Sequence, residues 1–457
     1  MTLSMKRLLS IDRTNLSSCV QILMKDRSIL LLQSHPSSFC RALVKTFETQ
    51  GARCVIVNFS LSDWYFRVGL GAKNYWGRLK NWRSSLEKLI DENEITDILY
   101  YSDRRPYHRI AHDVATQRGI NTFAYEFGYM RPDWITLERG GMGVYSHYPT
   151  DPQQIKQGAA ELPALQSAGR FPHAFLQEAS NEVICNLIPV FFPYLFPFYQ
   201  RDRYYHPFQD YFSYIPRLIR QKRFGREAAD VIETLVEEQA DYFVVPMQMQ
   251  GDYQIRHHSH YKHLSSFIRE IFSTFAQSAS AESKLVFKMH PFDNNVENWP
   301  QVIRDIAAEF SCLERTIIID GGDLNKLLRH SRGCVLVNST VGMEALKNGV
   351  PVKAMGIAVY DIAGLTDQRS LEDFWKDPIQ PDAGLYHDLE KLMGHTIQVR
   401  GSFFNREGRK IAAEEFVRRI LNDRVNGHGA YVEIPPRLPA AKAAGVPIFA
   451  DCYWGDI

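Results

Sequence analysis

The chain has 457 residues, with 53 Lys and Arg against 52 Asp and Glu and a net charge of +1. No overall field draws it to nucleic acid, and any polyanion must be met locally. Hydrophobic residues at 45% and charged residues at 23% are ordinary for folded proteins and exclude collagen-like, coiled-coil and wholly disordered chains. At roughly 150 residues per domain, the length asks for two domains with connecting elements.

The first residues are basic and apolar, but Asp12 and Arg13 interrupt them before the h-region of an export signal accumulates, so none is expected. Residues 28–33 (SILLLQ), 54–59, 95–102 and 121–126 are short apolar runs separated by helix-length stretches such as 37–50 and 106–118. Gly51 and Gly119 stand where a helix hands over to the next strand. Alternating strands and helices predict a parallel sheet, and residues 1–150 are assigned to an N-terminal Rossmann-like domain.

The periodicity breaks over 151–238, where prolines and aromatics accumulate, and this stretch is expected to be a helical, aromatic-rich connecting region. Its stretch 183–199 is the nearest approach to a membrane span, yet it contains three prolines and falls short of the ~20 apolar residues required. Residues 191–214 hold 12 aromatics in 24 positions, followed by Arg217, Arg220, Lys222 and Arg223. That combination suits the headgroup layer of an anionic membrane; an aromatic core between domains with a solvated basic helix is the alternative.

The βα alternation returns over 239–400, with strands expected at 242–248, 284–289, 316–320, 333–338 and 351–355. Residues 401–457 are read as an amphipathic helix, from after Gly408 to about Asp423, and a Pro/Ala-rich tail left unassigned. The predicted fold class is α/β with two facing Rossmann-like domains. G-x-G-x-x-G and the P-loop motif are both missing, which argues against a dinucleotide dehydrogenase or P-loop NTPase; a two-domain glycosyltransferase of the GT-B type fits better. Seven cysteines (Cys19, Cys40, Cys54, Cys185, Cys312, Cys334, Cys452) without a Cys-x-x-Cys pair suit a reducing cytoplasm.

Ligands in open parallel sheets bind beyond the carboxyl ends of strands, so the residues after each strand are the candidates for chemistry. Lys288, His290 and Pro291 follow one strand, and Asn338, Ser339 and Thr340 end another and open a helix. A cation, an imidazole and hydroxyls at a helix start make a seat for a single phosphate. The alternatives are a structural His-Pro turn and an N-cap. A D-x-D pair, the usual carrier of a divalent metal for nucleoside-diphosphate sugars, is missing, so no metal and no cofactor are expected. In the first half, Asp103, Arg104, Arg105, His108 and Arg109 follow one strand and Glu126 and Arg131 the next. Mixed acids and arginines at strand ends fit a site for an anionic sugar, where Arg forks bind a carboxylate; a solvated charge cluster is the alternative. His108 is either a general base or phosphate donor or a structural residue in the first turn of a helix.

The segments YSDRRPYHR, YEFGYMRPDWITLE, PMQMQGDYQIRHHS, KMHP and VNSTVGMEAL with GVPV resemble, in this order, the capsule polysaccharide proteins of the KpsS/LipB type. The resemblance implies a retaining glycosyltransferase that moves Kdo from CMP-β-Kdo to a (lyso)phosphatidylglycerol and begins the β-Kdo linker of a capsular polysaccharide. It implies an acceptor-side N-terminal domain and a CMP-sugar-binding second domain, with the CMP phosphate on His290-Pro291 and Ser339-Thr340. It also implies a peripheral location at the inner face of the cytoplasmic membrane, beside other capsule-assembly proteins. Related CMP-sugar transferases carry paired acids before a glycine, whereas Glu126-Phe127-Gly128 places Phe at the second position. Glu126, or Asp103 from the adjacent strand end, must then supply the catalytic carboxylate. A non-catalytic glycolipid-binding assembly or export protein, and a transferase of another CMP-linked acidic sugar, are the competing functions.

Overall fold

The structure, a computed structural model, describes residues 27–166, 169–172 and 175–448. It divides into two compact units whose segments interleave along the chain. Unit 1 comprises residues up to Glu126 with Phe171–Gln200 and Arg400–Val425; unit 2 comprises Phe127–Arg170, Arg201–Val399 and the residues from Asn426.

Unit 1 is built on strands β1 (Ser28–Leu31), β2 (Arg53–Asn58), β3 (Lys73–Asn74), β4 (Asp97–Tyr101) and β5 (Asn121–Phe127). They lie in the order β5-β4-β1-β2-β3 with every neighbouring pair parallel. β1 and β4 are buried along their whole length, as strands covered on both faces must be. The connecting helices pack their apolar stripes on the sheet: Phe39, Leu43, Val44 and Phe47 of Phe39–Thr49 are all buried. Gly119 ends the helix Pro106–Arg118 in the left-handed conformation, at φ 67°, where a side chain would be strained. The helix Arg406–Leu421 also belongs here, with the Phe416 ring 5.3 Å from that of Phe39.

Two buried polar devices fix the carboxyl ends of β1 and β2. Arg67 is 2% exposed and its guanidinium donates to Val57 O at 2.8 Å and to Leu32 O, bridging the two strand ends. Asp63 caps its own helix Leu61–Arg67, accepting from the backbone N–H of Phe59 and Ser60 and from the Ser60 hydroxyl at 3.0–3.1 Å. Gln33 Nε2 donates to the same carboxylate at 3.1 Å.

Unit 2 contains β6 (Trp134–Arg139), β7 (Tyr242–Pro246), β8 (Lys284–Lys288), β9 (Thr316–Ile319), β10 (Gly333–Leu336), β11 (Val352–Ala354) and β12 (Gln398–Arg400), the last running over the unit boundary by one residue. Five of these form a parallel sheet in the order β11-β10-β7-β8-β9. β6 and β12 lie side by side, Leu137 N–H donating to Ile397 O at 2.8 Å and Gln398 Nε2 to Thr136 Oγ1 at 2.9 Å.

The sequence reading had left the tail unassigned. Its residue Arg437 is fully buried and donates to four carbonyls: Ala358 at 3.2 Å, Tyr148 at 2.6 Å, Pro149 at 3.4 Å and Val359 at 2.5 Å. Burial lowers the pKa of this guanidinium, and the carbonyls compensate the desolvation. Replacing it by Met should therefore orphan four acceptors and cost about 3 kcal/mol or more. Urea denaturation of Arg437→Met checks this; a midpoint equal to wild type would show that the four Arg437 hydrogen bonds contribute nothing to stability.

Candidate functional site

The carboxyl edge of the unit 2 sheet collects residues from three adjacent strands, β10, β7 and β8. Asn338, just beyond β10, is the centre of a buried network. Its Oδ1 accepts from Gln248 Nε2 at 3.0 Å, its backbone N–H donates to Gln248 Oε1 at 3.2 Å, and its Nδ2 donates to Gln254 O at 2.8 Å and His258 O at 3.2 Å. His258 is itself buried, with Nδ1 accepting from Val144 N–H at 3.1 Å. This network locks the chain after β10 to the one after β7.

Ser339 and Thr340 follow and are half-buried. Ser339 Oγ accepts from Val341 N–H at 3.2 Å, and Ser339 O accepts from the buried Tyr360 hydroxyl. Thr340 occupies the N-cap position of the helix Val341–Lys347 but makes no side-chain cap hydrogen bond, so the capping alternative does not account for its hydroxyl. The Tyr360 hydroxyl and ring leave no room for a Cβ at Gly342, which accounts for the glycine of VNSTVG.

At the end of β8, Lys288 is buried and its Nζ donates to Gly321 O at 2.7 Å. His290 is half-buried, and its Nδ1 accepts from Phe292 N–H at 3.1 Å. That bond fixes the proton on Nε2 in the neutral ring. β7 separates β10 from β8, so the residues after these strands start roughly 10 Å apart, a span that one nucleotide phosphate and its sugar can bridge.

In unit 1 the edge residues have different fates. Asp103 and Arg104 are both buried and pair with each other at 3.1 Å. His108 is fully buried, with Nδ1 2.7 Å from Ser102 O and its ring stacked on Tyr100 at 4.9 Å. Burial, then the nearby Arg105, push its pKa down to about 3. Its contacts are those of a structural histidine in a first helical turn. Glu126, Arg105 and Arg109 are half-buried, with the Arg105 guanidinium 5.3 Å from the centre of the Tyr101 ring. Arg131, in unit 2, is exposed and its guanidinium lies 5.2 Å from the centre of the Phe127 ring. Residues Trp134–Arg139 form β6, and Glu138 is buried, accepting from the Tyr129 hydroxyl at 2.8 Å and from Ser146 Oγ.

Sequence reasoning missed His35. It follows β1 as a second His-Pro pair, is buried, stacks on Phe403 at 4.1 Å and places Nδ1 3.2 Å from Ser37 Oγ. Burial, then Arg105, hold its pKa at about 3. The repeated His-Pro dipeptide was the available signal. Of the basic run, the side chains of Arg217, Arg220 and Lys222 lie outside the described residues, while Arg223 is exposed and bonded to Glu227 at 2.6 Å. Phe191, Phe192, Tyr194, Phe198, Tyr204, Phe208 and Phe212 are exposed, which does not fit an aromatic core. Among the described residues no cluster of metal-binding side chains occurs and no helix is long and apolar enough to cross a membrane.

The sequence pattern of the family "capsule polysaccharide biosynthesis protein" matches residues 96–404. The chain is 28% identical to the capsule polysaccharide export protein KpsS of Escherichia coli over 388 residues, covering 85% of this chain and 99% of that one. It is 30% identical to the capsule polysaccharide modification protein LipB of Neisseria meningitidis serogroup B over 386 residues, covering 83% and 92%. Among solved structures, the β-Kdo 2,7 transferase KpsC of Thermosulfurimonas dismutans aligns at 14% identity with a TM-score of 0.42, covering 86% of this chain and 98% of that one.

His35 and His108 are held neutral in unit 1, with folded pKa values of about 3 against an unfolded value near 6.5. The unfolded chain binds the extra protons, so stability is full above about pH 6.5 and falls as pH drops toward about 3, by ~1.4 kcal/mol per pH unit per histidine. Urea midpoints measured from about pH 7 down to about pH 4 should show this decline, and His108→Gln should roughly halve its slope, leaving the His35 share; a pH-independent midpoint would contradict the buried neutral rings.

Proposed function

Because the chain belongs to the capsule polysaccharide biosynthesis protein family, we propose that it is a glycosyltransferase that moves Kdo from CMP-β-Kdo to a (lyso)phosphatidylglycerol, with retention of configuration. The observation that carries this reading is the strand edge of unit 2, where His290 Nε2 and the Ser339 and Thr340 hydroxyls offer donors to one phosphate. Lys288 adds positive charge at the end of β8, and Asn338 ties the strand end that bears Ser339 and Thr340 to that of β7. This set suits the single phosphate of a CMP-sugar without a metal ion.

Within unit 1, Arg105 and Arg109 provide forked donors suited to the sugar's own carboxylate. Asp103, Arg104 and His108 act beneath them as a buried frame that positions Arg105 and the start of its helix. Glu126 is the carboxylate assigned to the reacting centre. It attacks the anomeric carbon as the bond to the CMP phosphate oxygen breaks, and CMP leaves with the electron pair. An acceptor hydroxyl then displaces Glu126, which leaves as the free carboxylate while the hydroxyl proton passes to solvent water, so two inversions yield retention. The oxocarbenium-like charge is met by the same carboxylate.

A glycolipid-binding protein without catalysis is the second reading, favoured by the exposed aromatics of residues 191–212. Incubation with CMP-Kdo and phosphatidylglycerol, with the product weighed by mass spectrometry, separates the two: the transferase adds one Kdo to the lipid, the binder leaves it unchanged. His290→Ala should weaken CMP binding and reduce transfer by ~10²-fold or more, the scale of losing one preorganised donor. Wild-type turnover in that variant would remove His290 from the phosphate seat. EDTA should leave transfer intact; loss with rescue by Mg²⁺ would refute metal-free phosphate binding.

A further inference from the structure

The helix Leu61–Arg67 of unit 1 packs against the helix Phe175–Phe191, with Ser62 Oγ donating to Cys185 O at 2.7 Å. The chain then runs to Trp76, whose indole N–H donates to Leu195 O at 3.0 Å while its ring lies 6.3 Å from that of Phe196. Arg78 lies with its guanidinium 5.2 Å from the centre of the Phe198 ring. These contacts join two segments distant in sequence into one face, and that face leaves Trp64, Tyr65, Trp76, Phe191, Phe192 and Tyr194 exposed, Trp76 at 57% and Tyr194 at 67%. Trp64, Tyr65, Trp76 and Tyr194 keep between 45% and 67% of their surface exposed among the described residues.

The charge on the same face has one sign. Residues 64–86 contain Arg67, Lys73, Arg78, Lys80 and Arg83 and no carboxylate, and residues 183–200 contain no charged group at all. Arg67 is buried, while Lys73, Arg78 and Lys80 are exposed. Protein interfaces are depleted of lysine, whereas Trp and Tyr flanked by Lys and Arg suit the boundary between lipid headgroups and acyl chains. We propose that this face of unit 1 docks on an anionic phospholipid surface, the Trp and Tyr rings entering the headgroup layer and Lys73, Arg78 and Lys80 meeting lipid phosphates. The proposal extends the reading of a phospholipid acceptor but stands on its own observations. It also places the contact on a different segment from the basic run at 217–223.

The full-length protein is sedimented with vesicles of phosphatidylcholine alone and with phosphatidylglycerol added. Wild type should bind only the anionic vesicles, and brominated phosphatidylglycerol should quench its tryptophan fluorescence. Replacing Lys73, Arg78 and Lys80 by Gln should weaken binding roughly a hundredfold at low salt. The triple variant Trp64→Ser, Tyr65→Ser, Tyr194→Ser should lose both binding and quenching, with its urea midpoint unchanged because these rings are exposed and make no hydrogen bond across the two segments. Binding equal to wild type in both variants would overturn the proposal, as would binding lost only on neutralising Arg217, Arg220, Lys222 and Arg223. A concentration-dependent dimer broken by the aromatic variant, with no vesicle binding by wild type, would assign the face to a second copy and equally overturn it. Transfer of Kdo to a short-chain, micellar phosphatidylglycerol should persist in the aromatic variant. Loss of transfer in every protein, wild type included, would count against the enzyme reading and leave the vesicle result standing.

Discussion

The amide of Asn338 is the constraint on which the candidate donor seat depends. Parallel strands end in unpaired backbone groups, and an edge that presents side chains to a ligand needs something to hold neighbouring strand ends in fixed register. One buried amide does this through Gln248 of the adjacent strand end and through the carbonyls of Gln254 and His258. Every polar atom of that amide side chain is engaged, so its burial is compensated. With Asn338 fixed, Ser339 and Thr340 emerge at a set height above the sheet, and Tyr360 clamps Ser339 O from below.

The same physical device recurs elsewhere with arginine. Arg437 binds four carbonyls in unit 2 and Arg67 binds the strand ends of unit 1, in both cases without a carboxylate partner in hydrogen-bond contact. A planar fork suits carbonyls that converge from different loops. These buried cations are structural, whereas Arg105, Arg109 and Arg131 stay nearer solvent, and burial separates the two populations more clearly than sequence position does.

Much of this was legible in the sequence because the strands of both sheets are buried apolar runs bounded by turn residues. Residues 121–126 and 333–338 were placed within one or two positions of β5 and β10. β3 and β12, of two and three residues, carry no periodic signal, and β6 was hidden because Thr136 and Glu138 read as polar although both are buried. Residue identity at the strand ends was readable, but burial was not. Asp103, Arg104 and His108 look like a reactive rim in one dimension and are enclosed in three. The tail had no apolar period, and it is attached by the Arg437 guanidinium, by Val432 N–H to His147 O and by a small cluster of Val144, Ala441, Val446 and Ile448, partners that come from sequence-distant segments. The aromatic face of unit 1 was half visible, since residues 191–214 stand out by composition while Trp64 and Trp76 join them only through tertiary contacts.

Both units thus use one arrangement, a parallel sheet whose carboxyl edge carries the candidate site residues and whose strand ends are tied by buried polar groups. In unit 2 those residues are the neutral and cationic donors proposed for a single phosphate, and in unit 1 they are the half-buried Arg105, Arg109 and Glu126. The account turns on where the nucleotide phosphate sits. A crystal structure of the protein soaked with CMP tests it most directly: the phosphate oxygens should lie within hydrogen-bond distance of His290 Nε2 and of the Ser339 or Thr340 hydroxyl, with Asn338 unmoved. A phosphate held instead by the strand ends of unit 1, or CMP bound with His290 turned away from it, would contradict the account.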